Sequence, residues 1–424
     1  MQEADQHPPG SPDRDAAQRR AARLVAVNPG VLDLPALAGS RPVLARWARL
    51  VPFLLSDERE AASAAATRAA VGELLGRLHR LDADPATSCA TVTSFLRGLD
   101  AEDADARATA DREAHRVTAA RAPEVAAVLT GLAGLHAADD RERSIDDWRR
   151  RMAVMNGTQV TTLRRVQAAV AAAGAVAAEW RAMRAVVVGG AWSDRRAGLP
   201  APQVKLETHA AVAAAALGAA VPALAGAAVH EAGRVRAGDA DRTVVEADGR
   251  VSATVNHRPT PRGGLMVAHE LGHAVHAALA RGTLPPGPLV GETVACWAAL
   301  VAGLAAVDHA DNAAAAAAAA LALGDMLVEE LFVSAAVSAF EDSLHAAMPL
   351  QEVEVGRLNE LWRFAHVNAL GDEGVVPEDV ATGWARLPAL ATQPGHALAY
   401  CWATLLAQAM EARAATDPSG RADI

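Results

Sequence analysis

From about residue 21 to residue 190, apolar residues recur at helical spacing, with Arg, Asp and Glu on the opposite faces. That pattern predicts a succession of helices. Gly189 to Gln203, GGAWSDRRAGLPAPQ, interrupts it with a cluster of breakers and is the expected boundary. Helical spacing then resumes and runs to about Val235. Within it, Ala210 to Val229 is twenty residues without a charge, long enough to span a membrane. Its apolar content is mostly alanine, which drives insertion weakly, and it contains Gly218, Pro222 and Gly226. A pair of buried helices is therefore expected there, not a membrane span. The period changes at RTVVEADGRVSATVNHR, where β-branched runs flank Asp248-Gly249, and a small β-hairpin is predicted. Pro259, Pro261, Gly263 and Gly264 end it, and a helix follows. Gly282, Pro285, Pro286 and Gly287 break the chain again, and Pro288 suits the first position of the next helix. The eight-alanine run from Ala313 to Ala320 is low in complexity but helix-forming.

Composition strengthens the helical reading and removes some partners. Alanine, the best helix former and a poor strand former, supplies an unusual share of the apolar residues. The net charge is −10 over 424 residues, with no basic block of the kind that tracks a phosphate backbone, so nucleic acid is not an expected partner. Three widely spaced cysteines, Cys89, Cys296 and Cys401, form neither a disulfide framework nor a zinc knuckle. They fit a reducing cytoplasm. The polar opening, residues 1–20, reads as a disordered tail without a signal peptide's apolar stretch.

The helix after the hairpin carries VAHELGHAVH, Val267 to His276. His269 and His273 are four residues apart, so on a helix their side chains point the same way, one turn apart. Two imidazole nitrogens can then reach one ion. Glu270 lies beside them and can take a proton from water at the ion's open position without ligating it. A third ligand is wanted. Glu292, in LVGETVACWAAL, follows a tight Pro/Gly turn, and a returning helix can bring it back over the first to complete a His₂Glu site. Gly272 costs about 1 kcal/mol in a helix interior, which is reasonable where another element approaches closely. The plain alternative is a solvated helix face on which these residues bind nothing. His276 shares a face with His269 but reads as a packed or solvent-facing histidine, or as a substrate contact, before a fourth ligand. The same ligand set can also hold Fe(II), as in non-haem oxygenases that tailor a peptide or small molecule; Glu270 would be dispensable there.

HELGHAVH resembles the HExGHxxH motif of the zinc oligopeptidases related to thimet oligopeptidase and oligoendopeptidase F. His269, Glu270, Gly272, His273 and His276 fill every fixed position. Three further stretches resemble the oligoendopeptidase F branch. LVGETVACW is similar to the segment carrying the third zinc ligand, here Glu292. LFVSAAVSAFEDSLHAA is similar to a helix ending in a Phe-Glu…His pattern, here Phe340, Glu341 and His345. ALAYCWATLLAQAM is similar to the segment whose tyrosine hydrogen-bonds the oxyanion; here it is Tyr400, the only tyrosine in the chain. VSATVNHR resembles the family's edge strand over the cleft, which implies substrate contacts from Thr254 and Asn256. His396, one helical turn before Tyr400, is the candidate for the family's transition-state histidine, although it stands closer to the tyrosine than the family's does. A carboxylate that often follows the ligand glutamate by seven residues is replaced here by Ala299. Glu329, Glu330 and Asp325 are the candidates to take its place.

The resemblance is closest from about residue 200 onward, and the chain is shorter than the usual member on its N-terminal side. It implies a mainly α, multi-helical fold with a small β-hairpin or sheet next to the HExxH helix. The tail at 1–20 would lead into an N-terminal helical region, 21–195, and a zinc-metallopeptidase catalytic region, 196–424. It further implies one Zn²⁺ on His269, His273 and Glu292, and a peptide as substrate.

Overall fold

The computed structural model describes residues 51–245, 250–280, 287–347, 353–371, 378–387 and 389–416, together with Arg19, Arg20, Arg23 and Arg49. Most of the expected tail lies outside these residues. So do the hairpin tip at Asp248-Gly249 and the breakers Gly282, Pro285 and Pro286.

The helical spacing before the boundary becomes α1 (Asp57–Ala83), α2 (Cys89–Arg97), α3 (Ala104–Glu142), α4 (Arg149–Met155), α5 (Val160–Ala172) and α6 (Gly174–Val188). The breaker-rich boundary is not a loose linker. It folds as a 3₁₀ turn, Trp192–Arg196, whose Asp194 is buried in an ion pair with Arg107 of α3 at 2.7 Å. The uncharged stretch after it forms two helices, α7 (Leu206–Ala220) and α8 (Ala225–Ala232), broken at Pro222 as expected.

Three strands follow: β1 (Arg236–Ala237), β2 (Arg242–Val245) and β3 (Val251–Val255). β2 and β3 form the predicted antiparallel hairpin, with Thr243 opposite Ala253 and Val245 opposite Val251. β1 pairs with β3 in parallel, so the sheet order is β1-β3-β2. This corrects the edge-strand expectation. β3 is the middle strand, because the short β1 claims its other side. Its alternation agrees: Val251, Ala253 and Val255 are buried, as expected of one strand face packed on a core.

The motif helix is α9 (Pro261–Leu279). Thr260 caps it by accepting a hydrogen bond from the Gly263 N–H at 3.2 Å, and Pro261 takes the first position. α10 (Pro288–Asp308) returns alongside, opened by Pro288 as the sequence suggests. Its Leu289 N–H donates to Asn156 Oδ1 at 3.0 Å, which satisfies an orphan amide of the first turn. Among the described residues α10 is the one helix long and apolar enough to cross a membrane, yet most of it is buried inside the protein between α9 and the last helix. Gly272 shows why these helices can approach so closely. A Cβ there would lie 2.8 Å from Ala295 Cα and 2.9 Å from Val294 O, both on α10.

The alanine run opens α11 (Ala313–Val328) behind an Asn312 cap. A π-helical turn, Glu329–Val333, joins it to α12 (Ser334–Ala347). α13 (Val355–Leu370), a 3₁₀ stretch (Glu378–Arg386), the single turn α14 (Ala389–Thr392) and α15 (His396–Thr416) complete the chain. The largest core crosses the expected region boundary: Val128 and Leu163 from the first helices pack with Phe340, Leu358 and Trp384 from the last. A second core beneath α9 and α10 includes Leu271, Val275, Cys296, Ala299 and Ala403.

A candidate metal centre on the HELGH helix

α9 places His269 and His273 one turn apart, and the close crossing at Gly272 brings Glu292 of α10 against both. Glu292 Oε2 lies 3.4 Å from His269 Nε2 and 3.6 Å from His273 Nε2. The candidate ligand atoms of all three residues fall within 4.8 Å of one another. A tetrahedral ion with ligands at about 2.0–2.2 Å would hold neighbouring ligand atoms about 3.3–3.6 Å apart. His269 and Glu292 are buried, 5% and 7% exposed, while His273 is half-buried. Glu292 Oε2 is buried with no hydrogen-bond partner. An orphaned carboxylate oxygen facing two imidazole nitrogens is expensive unless a cation joins them. Burial pushes the Glu292 carboxyl up, but His269 and His273 pull it well below the usual carboxylate range. The donor set therefore fits a divalent cation with nitrogen and oxygen preference.

Glu270 is buried beside this group, and burial raises its carboxyl against the pull of His269, Thr243 and His273. Thr243 Oγ1 on β2 lies 2.7 Å from Glu270 Oε2, as donor, and 3.1 Å from the Glu270 carbonyl oxygen. The sheet thus fixes one carboxylate oxygen. Sequence reasoning missed Thr243, because only the cross-strand register turns it toward α9.

α15 supplies the remaining members. The Tyr400 ring is stacked 6.0 Å from that of His269, and His396 meets Tyr400 edge-on at 5.1 Å. His396 Nε2 lies 3.8 Å from Glu292 Oε1. Burial holds His396 towards its neutral form. Burial also pushes the Tyr400 phenol well above its usual value, with Glu292, Cys296, Glu330 and Glu270 adding to the rise, so it stays a protonated donor.

Behind His269 stands a second layer. Cys296, four residues after Glu292, and Glu330 of the π turn have ligating atoms within 4.8 Å of His269. Thr404 Oγ1 donates to Glu330 Oε2 at 2.8 Å. Of the three carboxylates considered to replace the one lost at Ala299, Glu330 alone turns to this histidine. Asp325 pairs with Arg184 at 2.8 Å and accepts from Trp180 Nε1, while Glu329 pairs with Arg262. Cys296 was missed as a neighbour of the site, although its i+4 spacing from Glu292 is the signal that paired His269 with His273.

The other expected site residues stand apart. His276 follows His273 on α9, half-buried, and burial lowers its imidazole. Thr254 Oγ1 is within reach of the carbonyls of Ala240 and Arg242, at 3.3 and 3.4 Å. The Asn256 N–H donates to Asp241 Oδ1 at 2.7 Å. Thr254 and Asn256 are engaged within their own sheet, and neither joins the cluster.

No protein-family model and no curated protein sequence matches the chain. Solved structures do resemble it. A Chlamydophila abortus protein, provisionally described as a peptidase, superposes with a TM-score of 0.74 at 14% identity, over 97% of this chain and 74% of that one. PZ peptidase A, solved with an inhibitor, gives 0.71 at 12% identity over 95% and 77%. Oligoendopeptidase F from Enterococcus faecium gives 0.62 at 12% identity over 92% and 70%. The fold is that of the oligoendopeptidases. The likeness runs through the N-terminal helices as well as the C-terminal half, further than the sequence resemblance reached.

Proposed function

We propose that the chain is a zinc metallopeptidase that hydrolyses peptide bonds in oligopeptides or in a small peptide precursor. The observation that carries this reading is Glu292 Oε2, buried without a hydrogen-bond partner and 3.4 and 3.6 Å from two imidazole nitrogens. A Zn²⁺ held by His269, His273 and Glu292 would supply Lewis acidity to the scissile carbonyl and acidify the attacking water. Glu270 accepts that water's proton and delivers it to the leaving amine. Thr243 fixes the Glu270 carboxylate from one side and leaves the other oxygen for the transfer. Tyr400 donates a hydrogen bond to the oxyanion that develops at the carbonyl. His396, on the same face of α15, supports Tyr400 and contacts Glu292. His276 is assigned a lesser part, lining the substrate side of α9.

The substrate peptide lies extended along β2. Among the described residues β2 pairs with β3 alone, so it presents the sheet's edge next to Glu270. Thr254 and Asn256 then act behind β2, setting its position. Residues 196–424 are assigned as the catalytic region and 21–195 as the N-terminal helical region, whose helices α1 to α6 run from Asp57 to Val188. Three free thiols suit work in a reducing cytoplasm.

The test pairs metal content with cleavage. Purified protein, beside a Glu270→Gln control, is analysed for bound metal and incubated with a mixed short-peptide library. One zinc per chain, with cleavage lost in the control, is the expected result. Iron in place of zinc, or zinc with no cleavage of any peptide, overturns the reading.

A further inference from the structure

On the far side of the π turn from Glu330 lies a cavity of about 650 Å³. None of His269, Glu270, His273, Glu292, His396 or Tyr400 lines it. Three of its acids are each taken by one arginine: Asp325 by Arg184, Asp111 by Arg195 at 2.6 Å, and Glu329 by Arg262. Two further guanidinium groups in the wall, Arg196 and Arg386, have no hydrogen bond or ion pair with any described residue. Arg386 is pulled down to about 10 by burial, with Arg195 and Arg196 adding to the fall and Glu329 and Asp111 only partly offsetting it. Arg196 is also lowered by burial, and Glu329 only partly offsets this. Positive charge gathered in a recess without partners is costly and calls for a counter-anion.

The rest of the wall decides what kind of anion. Trp180, Trp192 and Trp362 line the cavity together with Val333 and Val337. The guanidinium of Arg195 already sits over Trp192 at 5.0 Å. The volume is that of a small-molecule site, with mostly apolar walls and a few convergent polar groups. Bare phosphate or chloride would leave the aromatic wall wet, and a neutral apolar molecule would leave both arginines uncompensated.

We propose that this cavity is a second ligand site that takes a small organic anion. Its carboxylate or phosphate is bound by Arg196 and Arg386 through forked hydrogen bonds, and its apolar body lies against the tryptophan wall. The site stands on its own geometry and does not depend on the peptidase reading.

Calorimetric titration of the full chain with phenyl phosphate, phenylacetate, inorganic phosphate and benzyl alcohol tests it. One of the two aromatic anions should bind at least about tenfold more tightly than inorganic phosphate, with benzyl alcohol undetectable; which one binds separates the phosphate from the carboxylate. Arg386→Gln and Arg196→Gln should each weaken that binding by about tenfold or more. Without ligand, neither variant should melt below the parent, since each loses an uncompensated charge. The proposal is overturned if neither aromatic anion binds, if binding is unchanged in both variants, or if both variants melt lower without ligand, which would make the arginines structural.

Discussion

Two charged centres flank the π turn at Glu329 and Glu330, and they are built in opposite ways. On one side a single carboxylate, Glu292, gathers His269, His273 and His396 within 4 Å. On the other, arginines outnumber the acids, and the guanidinium groups of Arg196 and Arg386 have no hydrogen bond or ion pair with any described residue. In both, an unsatisfied charge points to the chemistry of what would complete it: a cation at Glu292, an anion at Arg196 and Arg386. They differ in how they are encoded. The first uses residues four apart on adjacent helices; the second collects single residues from elements scattered along the chain.

Substitutions in the first centre have the largest expected effects. Glu292→Ala should abolish metal binding and all cleavage, read by metal analysis of the purified variant; retained metal would break the assignment. Glu270→Gln should keep the metal and lower kcat by about a thousandfold or more, since it removes only the proton carrier. Tyr400→Phe should lower kcat by about a hundredfold with little change in KM, as loss of one oxyanion donor does. Gly272→Ala should lower stability by about 1–3 kcal/mol in denaturant titration, because its Cβ would meet the α10 backbone at 2.8–2.9 Å.

A pH dependence of stability lies away from both centres and does not touch their chemistry. Glu341 is buried, accepts from the Gly395 N–H at 2.9 Å through one oxygen and has no partner for the other. Burial pushes its carboxyl from 4.5 up to about 8. Between those values the unfolded chain has lost the proton while the folded one keeps it, so this group's contribution makes stability fall as pH rises from about 4.5 to about 8. Glu341→Gln should flatten that part of the profile and leave the variant relatively more stable at pH 8, read by thermal melts across the range.

Much of the first centre was legible in the sequence because helical periodicity is local. The spacing of His269 and His273, the Pro288 start of the returning helix and the Gly272 contact all follow from one or two turns of chain. Tyr400 and His396 came from the resemblance, and their convergence needed the packing of α15 on α10. Thr243 and the middle position of β3 were not legible. The middle position of β3 depends on β1, a two-residue strand with no periodic signal, and Thr243 on the cross-strand register of β2 and β3. The arginine-lined cavity was hidden for the same reason at larger scale: nothing in the local sequence around Arg196 or Arg386 says that the two will line one cavity.

The most direct measurement is calorimetric titration of the metal-stripped chain with Zn²⁺, beside Glu292→Ala. One ion per parent chain, and none at the same concentrations in the variant, is what the geometry at Glu292 predicts. No binding by the parent, or equal binding by both, would contradict it.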